Sequence, residues 1–226
     1  MAKKILGIYG YQNELAFGVG KAYLEFISTF GHPKILMPWQ TVQTAQVDAL
    51  FIPGGADIRP DMYNEIPGYK TSSTDVHKQH FYDHLMEGYI QANIPLIGIC
   101  AGFQVLAVRF GYKLVQNLPF HPQSKDRWTA GHKITYVGQE NVPEKEKLSV
   151  NSHHHQGVIY DPNNQELEML SYYDDYSGRV VESFRHRTRP IVLIQNHPEE
   201  FYGQHEVELI DRLINPQNYL NETTTR

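Results

Sequence analysis

A single cysteine is the residue in this chain whose type and setting could best do chemistry. Cys100 is the only cysteine among 226 residues and lies in the stretch GICAG, between Gly98 and Gly102. A nucleophile bracketed in this way, after a strand and before a helix, is typical of a nucleophile elbow. The start of a helix also favours a thiolate over a thiol. The pattern therefore predicts a reactive cysteine rather than a small buried apolar side chain.

A thiol nucleophile needs a base, and the base needs a group that orients it. The segment IVLIQNHPEEF, residues 191–201, supplies both after an apolar strand, as His197 and Glu199. Pro198 favours an extended conformation at His197, and side chains two residues apart in an extended chain point to the same side. We therefore expect Glu199 to orient His197 beside Cys100, if the two strands are neighbours. The alternative is a surface turn with solvated side chains.

The elements that must position these residues follow a strand–helix alternation in the first half of the chain. Short apolar segments bounded by Gly or Pro predict buried strands, and the intervening helical patterns predict crossover helices. This alternation is typical of a parallel sheet. The predicted strands are residues 4–9, 34–37, 49–52 and 95–99, and the predicted helices are residues 19–30, 75–92 and a helix starting near residue 103.

The second half is richer in strands. Predicted strands cover residues 133–137, 148–152, 167–170, 179–183 and 191–195, and a final helix covers residues 205–214. We therefore expect an α/β fold, with a central mostly parallel sheet flanked by helices and several added antiparallel strands. The length favours one domain, residues 1–220, followed by a polar tail, residues 221–226.

Composition narrows the class of protein. The net charge of -5 gives no electrostatic reason to expect nucleic acid, and no apolar run approaches the ~20 residues that span a bilayer. One cysteine cannot form an internal disulfide, and no apolar leader follows a basic start. These features predict a cytoplasmic protein with a small or peptide-like substrate, no membrane or nucleic-acid partner and no cofactor.

With these motifs placed, the chain resembles the class I glutamine amidotransferase family, which has a flavodoxin-like fold. Two segments, PGGADIRPDMYNE (residues 53–65) and VNSHHHQGV (residues 150–158), resemble its γ-glutamyl hydrolase branch. This branch, peptidase C26, includes the γ-glutamyl-γ-aminobutyrate hydrolases. The family motifs G-x-C-x-G-x-Q and H-x-E are present here as Gly98, Cys100, Gly102 and Gln104, and as His197 and Glu199.

The resemblance implies a mechanism and a set of site residues. Cys100 would attack the carbonyl of a γ-glutamyl group to form a thioester, His197 would carry the proton to the departing amine, and Glu199 would hold the imidazole tautomer. The family also supplies backbone N–H donors to the oxyanion and contacts to the glutamyl ends. The positions that match the oxyanion donors are Ala101 and Gly55, with Gly54 beside it. Those that match the glutamyl contacts are Gln104 and the backbone of Ser152, His153 and His154.

The helix before the elbow departs from the branch pattern. Lys78, Gln79 and Tyr82 stand where the branch commonly has Arg-Asp and, three residues after the Asp, a Glu. This change alters what the pocket can hold beyond the scissile bond. Tyr63 and Tyr82 are aromatic positions that could line this space or pack in the core.

Two histidine groups have more ordinary interpretations. Three consecutive histidines would alternate sides in a strand and could not all bind one metal ion, so no metal site is predicted. A second trio shares the helix face opposite an apolar stripe, which predicts solvated or pocket-rim residues. The first group is His153, His154 and His155, and the second is His77, His80 and His84.

Three functions remain open at this point. The first is a free-standing γ-glutamyl hydrolase that releases an amine or peptide. The second is a glutaminase subunit that passes ammonia to a separate synthetase. The third is a non-catalytic binding module, against which the intact Cys, His and Glu pattern argues.

Overall fold

The computed structural model describes residues 3–12, 17–72, 75–126, 128–137, 147–201 and 203–219. Its strands are short in the first half of the chain and longer in the second. They are β1 (Ile5–Tyr9), β2 (Tyr11–Gln12), β3 (Phe17–Gly18), β4 (His32–Leu36), β5 (Ala49–Ile52), β6 (Leu96–Ile99), β7 (His132–Tyr136), β8 (Lys147–Val150), β9 (Leu167–Asp175), β10 (Gly178–His186) and β11 (Ile191–Ile194).

The α-helices lie mostly between the parallel strands. They are α1 (Lys21–Ser28), α2 (Val42–Ala45), α3 (Val76–His80), α4 (Met86–Gln91), α5 (Ala101–Arg109) and α6 (Gln204–Ile214). A π-helical turn, Phe81–Leu85, joins α3 to α4, so the predicted helix over residues 75–92 is one continuous helical segment with a wider turn in its middle. Two 3₁₀ turns cover Pro60–Tyr63 and Pro216–Tyr219.

Nine of these strands form one mixed sheet. Its order is β4-β1-β5-β6-β11-β10-β9-β7-β8, and β2 pairs separately with β3. The first five strands in this order run parallel to one another, and the last four are antiparallel additions. The predicted fold class is confirmed. The antiparallel strands form half of the sheet's pairings, a larger share than the sequence pattern indicated.

The central strands of the sheet have continuous apolar sequences because they are buried on both faces. Every residue of β5, β6 and β11 is buried, because helices cover both faces of this part of the sheet. One face packs against α3, α4 and α5, through residues such as Tyr89 and Phe103. The other face packs against α1 and α6, through residues such as Phe26 and Ile210.

Several features lie beyond the sequence prediction. The short helix α2 and the β2–β3 pair were not predicted, and β9 and β10 extend well past their predicted ends. The predicted tail, residues 221–226, lies outside the described residues. Within the described ranges, no helix has the length and apolar character needed to cross a bilayer.

Candidate active site

Cys100 lies at the turn between β6 and α5, as the elbow pattern predicted. Its backbone has φ 52° and ψ -106°, a conformation that residues other than glycine rarely adopt. The turn is held by hydrogen bonds from the Cys100 N–H to the Ile194 carbonyl (2.9 Å) and from the Gln104 N–H to the Cys100 carbonyl (3.0 Å). Strain of this kind costs on the order of 1–3 kcal/mol and is concentrated at functional sites.

The two glycines of the elbow are required by close backbone approach. A Cβ at Gly98 would come within 2.6 Å of the Gly102 carbonyl oxygen, and a Cβ at Gly102 would clash with the carbonyl of Ile52 at the end of β5. Backbone atoms cannot move aside as a flexible side chain can. The GICAG pattern is therefore what lets α5 start against the neighbouring strand.

His197 reaches the same edge of the sheet because β11 lies beside β6. The two strands are parallel and in register, with Ile194 opposite Ile99, so their carboxyl ends coincide. The Nδ1 atom of His197 lies 2.7 Å from Oε1 of Glu199, which is buried. The backbone of His197 is clamped by Asn151, whose Oδ1 accepts from the His197 N–H (2.8 Å) and whose Nδ2 donates to the His197 carbonyl (3.0 Å).

The three side chains form an electrostatically coupled group. Burial opposes protonation of His197, but the Cys100 charge, hydrogen bonds to Cys100 and Glu199, and the Glu199 charge outweigh it and raise the pKa of His197 well above its usual value. The neighbouring Cys100 and Glu199 thus favour the imidazolium form of His197. Such an arrangement holds a nucleophile and the proton for a leaving group in one place.

The loop after β5 brings a second set of backbone groups to Cys100. A Cβ at Gly54 would lie 2.8 Å from Cε1 of His197 and 3.2 Å from Cβ of Cys100, so this loop lies directly against both side chains. Gly55 has φ 154°, which favours glycine there. Ala101 is the first residue of α5, so its N–H has no acceptor within the helix. These positions suit backbone donors aimed at one developing negative charge.

Tyr23 on α1 supports this loop, and the sequence analysis missed it. The Gly54 N–H donates to the Tyr23 hydroxyl oxygen at 2.9 Å. Burial, together with the charges of Glu199 and Cys100, raises the pKa of Tyr23 well above its usual value. Tyr23 therefore remains a neutral phenol between the loop and the triad. Its position in an amphipathic helix predicted only a core residue.

Lys78 on α3 is a second missed residue. Its side chain is buried, and its Nζ donates to the carbonyl oxygens of Pro53 (3.3 Å) and Gly54. Burial lowers the pKa of Lys78 to about 8, against the opposing effect of the Asp75 and Cys100 charges. The ammonium thus fastens the Gly54–Gly55 loop beside the nucleophile. The sequence analysis placed this residue only as a departure from a family pattern.

The lowered pKa of Lys78 predicts a pH-dependent stability. The unfolded chain binds this proton up to about pH 10.5, whereas the folded protein releases it near pH 8, so between these values the unfolded state holds more protons. The free energy of unfolding should therefore rise with pH in this window, by at most about 1.4 kcal/mol per pH unit. Urea titrations of the wild type and Lys78→Met measure it. The wild-type value minus the Lys78→Met value should increase from pH 8 to pH 10.5.

The matched control for this measurement is Lys133→Met, because the Lys133 side chain is exposed. If the free energies of unfolding of the wild type and Lys78→Met change with pH in parallel, the lowered pKa of Lys78 is contradicted.

The substrate-binding residues predicted from the resemblance lie near the triad, and several of their polar groups already have protein partners. The Gln104 amide Nε2 donates to the Gln156 carbonyl (3.1 Å) and to Gln195 Oε1 (3.4 Å). The backbone N–H and carbonyl of Ser152 both bond to Ser124, at 2.8 and 2.9 Å. Their role as direct substrate contacts remains a prediction.

The three consecutive histidines separate, as predicted. His153 lies beside the triad, with its ring centre 6.2 Å from that of His197 and its Nε2 3.2 Å from the Asp126 carbonyl oxygen. His154 is buried and directs Nδ1 at the Gln156 carbonyl (2.9 Å). His155 faces Asp57 at 3.2 Å. The His154 side chain therefore points toward the interior, and the backbone contact that the resemblance implies for this residue remains a prediction.

The two tyrosines that could line the leaving-group space are buried. Tyr63 and Tyr82 both pack in the core, with Tyr82 next to Phe81. Burial and the charges of Asp75 and Cys100 raise the pKa of Tyr82, which indicates that its ring lies near the nucleophile. On the same helical segment, His80 and His84 are exposed and His77 is half-buried, as the apolar stripe predicted.

The fold and this arrangement of a strained cysteine, a histidine and a buried glutamate define a protein of the class I glutamine amidotransferase type. The Peptidase C26 family model matches residues 9–199. The chain belongs to the Peptidase C26 family, and the resemblance to class I glutamine amidotransferases noted from the motifs is confirmed.

Individual relatives agree with this assignment. The glutamine amidotransferase-like protein YvdE of Lactococcus lactis is 30% identical over 194 residues, which cover 79% of each chain. The glutamine-hydrolysing subunit of GMP synthase from Thermoplasma acidophilum is 27% identical over 180 residues, covering 78% of this chain and 84% of that one. A crystal structure of a glutamine amidotransferase from Thermotoga maritima matches with a TM-score of 0.59 at 14% identity, covering 99% of this chain and 86% of that one.

Proposed function

We propose that this protein hydrolyses the γ-glutamyl amide bond of a γ-glutamyl amine or short γ-glutamyl peptide, through a thioester on Cys100. The observation that carries the proposal is the position of His197, which bonds Glu199 and lies with Cys100 beside Gly54, at the edge where Cys100 is held in a strained turn. A binding module would have no need of this strain or of a buried glutamate at the imidazole.

The proposed reaction begins with attack of the Cys100 thiolate on the amide carbonyl carbon. The N–H groups of Ala101 and Gly55 would stabilise the tetrahedral oxyanion, because they are already oriented before the reaction starts. The His197 imidazolium gives its proton to the leaving nitrogen, the C–N bond breaks and the amine departs. Water then attacks the thioester while His197 takes its proton. The C–S bond breaks, which releases glutamate and restores the thiolate–imidazolium pair.

Glu199 would act by holding one imidazole proton on Nδ1 of His197, which leaves Nε2 for the proton transfers of the reaction. Its carboxylate bonds Nδ1, so Nε2 faces the nucleophile, and its charge helps to raise the pKa of His197. The raised pKa means that the imidazolium is present at neutral pH. It is lost only as the pH rises through that raised value, and the general acid for the leaving amine is then lost with it.

Glu199→Gln should therefore move the alkaline limb of the kcat/KM profile to lower pH and lower kcat by up to about 10⁴-fold. The physical reason is that the variant removes both the charge and the hydrogen bond that Glu199 supplies to the imidazolium. Steady-state rates measured across the pH range on a γ-glutamyl substrate test this. Glu200→Gln, one residue along, serves as the control and should leave the limb in place. A limb at the same pH in both variants would contradict the role of Glu199.

A second function is supported by one relative. The GMP synthase relative is named as glutamine-hydrolysing, and the similarity spans most of both chains. This chain could accordingly hydrolyse glutamine and pass ammonia to a separate synthetase. Only the size of the leaving group and the need for a partner separate the two functions.

The two functions predict different kinetics for the purified protein on its own. A free-standing hydrolase must hold an extended amine beyond the scissile bond, so it should cleave γ-glutamyl amines or peptides with a higher kcat/KM than glutamine. The measurement is steady-state release of glutamate and amine from a panel of γ-glutamyl amides, with Cys100→Ala as the control for contaminating activity. A clear preference for glutamine, or activity that needs an added synthetase, would move the assignment to the ammonia donor.

A further inference from the structure

A second group of titratable side chains lies outside the triad. We call it the histidine cluster, and its members are His121, His132, His154 and Glu182. All four are buried, with exposed fractions of 4%, 8%, 4% and 0%. Buried charged and polar groups of this kind are normally paired or bind a metal ion.

Four separate elements bring the cluster together. His121 lies in the loop between α5 and β7, His132 is the first residue of β7, and His154 follows β8. Glu182 lies at a β-bulge in β10, where its two neighbours pair with consecutive residues of β9 and leave Glu182 without a partner there. Bulges of this kind redirect a side chain. The irregularity therefore places a carboxylate among the imidazoles.

The donor atoms are spaced like those around a small cation. Nε2 of His121 and Nε2 of His132 each lie 3.4 Å from Oε1 of Glu182. Ligands bound at about 2.0–2.1 Å in a tetrahedron are separated by about 3.3–3.4 Å. The donor atoms of these three residues all lie within 4.8 Å of one another. Nε2 of His154 lies 3.9 Å from the other oxygen of Glu182 and offers a fourth donor.

The protonation of the imidazoles also suits ligation. Nδ1 of His154 lies 2.9 Å from the Gln156 carbonyl, which can only accept, so Nδ1 carries the proton and Nε2 presents a lone pair. Nδ1 of His121 lies 3.5 Å from the Asp175 carboxylate. Oxygen acceptors behind the ring are the usual companions of metal-binding histidines.

These facing atoms form no hydrogen bonds in the described part of the chain, although they lie close to one another. Nε2 of His121, His132 and His154 and both oxygens of Glu182 have no hydrogen-bond partner within the described residues. A buried carboxylate needs a cation, whereas burial favours neutral imidazoles. A divalent cation meets both demands, because it neutralises the carboxylate and accepts the imidazole lone pairs.

We propose that the histidine cluster binds one Zn²⁺ ion, with His121, His132, His154 and Glu182 as ligands. Imidazole and carboxylate donors in a tetrahedral set suit zinc rather than Mg²⁺ or Ca²⁺. Four protein ligands close the site, so the ion is structural and takes no part in the hydrolysis.

The ion would stabilise the wall of the candidate active site. The Gln195 N–H donates to the Glu182 carbonyl at 2.8 Å, two residues before His197. On the other side, Asn151, three residues before His154, clamps the His197 backbone. Loss of the ion should therefore loosen the segments that hold His197.

Metal analysis of untagged protein, purified without chelator, tests the proposal. The exposed pair His80 and His84, with ring centres 4.9 Å apart on one helix face, could hold zinc at the surface, so the experiment uses the His80→Ala/His84→Ala background. This protein should contain about one zinc per chain. Adding His132→Ala to this background should weaken zinc binding by at least about 10- to 100-fold. Removing a residue that only hydrogen-bonds a metal ligand already causes a loss of this size, and His132 is proposed as a ligand itself.

Thermal unfolding gives a second measurement that needs no cluster variant. Zinc at about 100 times its dissociation constant should raise the melting temperature of the chelator-treated protein by roughly 5–10 °C, and Mg²⁺ should not. If His132→Ala fails to fold, Glu182→Gln replaces it. Absence of bound zinc together with no thermal shift would overturn the proposal and leave an imidazolium–carboxylate cluster. Zinc that remains bound in both cluster variants would overturn it as well.

Discussion

Cys100→Ala is expected to lower kcat on any γ-glutamyl substrate by about 10⁴- to 10⁶-fold. In the proposed reaction Cys100 forms the covalent intermediate, and backbone donors alone supply only a small part of the acceleration. The measurement is single-turnover and steady-state release of amine by purified variant. Circular dichroism and thermal unfolding check that the fold is retained. Wild-type turnover in the alanine variant would exclude the proposed mechanism.

The strain at Cys100 gives this prediction an internal control. Cys100→Ala and Cys100→Gly both remove the thiol, but only alanine keeps a Cβ at φ 52° and ψ -106°. Glycine adopts this conformation readily, and the relief of about 1–3 kcal/mol exceeds the extra entropy that glycine gives the unfolded chain, about 0.4–1 kcal/mol. Cys100→Gly should therefore be inactive and yet more stable than Cys100→Ala. Equal loss of activity with the opposite order of stability would contradict the strained elbow.

His197→Ala is the second substitution with a very large expected effect, again about 10⁴- to 10⁶-fold in kcat. Its loss removes the proton donor for the leaving amine and the base for thioester hydrolysis, while Cys100 remains in place. The exposed His80→Ala is the matched control and should retain wild-type turnover.

The same variant can be examined without substrate, because Cys100 is the only thiol in the chain. Iodoacetamide reacts with thiolates, and the imidazolium beside Cys100 favours the thiolate. Alkylation at neutral pH should therefore be slower in His197→Ala than in the wild type, as followed by mass spectrometry. Equal alkylation rates would show that the two side chains do not form the coupled pair described above.

The strand–helix alternation and the elbow were predictable because both are local. The apolar run of β6, the two glycines around Cys100 and the helical pattern after them lie within a dozen residues, and close backbone approach at both glycines excludes a Cβ there. His197 and Glu199 were predicted to meet because side chains two residues apart lie on one side of an extended chain. Their contact is present at 2.7 Å, but residues 198–200 form a turn, in which the His197 carbonyl accepts from the N–H groups of Glu200 and Phe201 (both 3.1 Å).

The tertiary structure decided everything that depends on which strands become neighbours. Tyr23 meets Gly54 across 31 residues, and Asn151 meets His197 across 46, so no spacing in the sequence signals either contact. Lys78 stood out in the sequence only as a departure from the family pattern, yet it is buried, with its Nζ on the Gly54 carbonyl just after the end of β5.

The histidine cluster shows most clearly that contacts between distant residues cannot be predicted from sequence spacing. The three consecutive histidines were correctly predicted to separate, but only His154 joins the cluster, with His121, His132 and Glu182 coming from other elements. A bulge in β10 sets the direction of Glu182, and a bulge follows from the pairing of two strands rather than from either one. The sequence by itself determined the local turns and the chemistry of each side chain. Long-range strand pairing and packing determined which of those side chains share a buried site, because a contact between distant residues exists only after the sheet that joins them has formed.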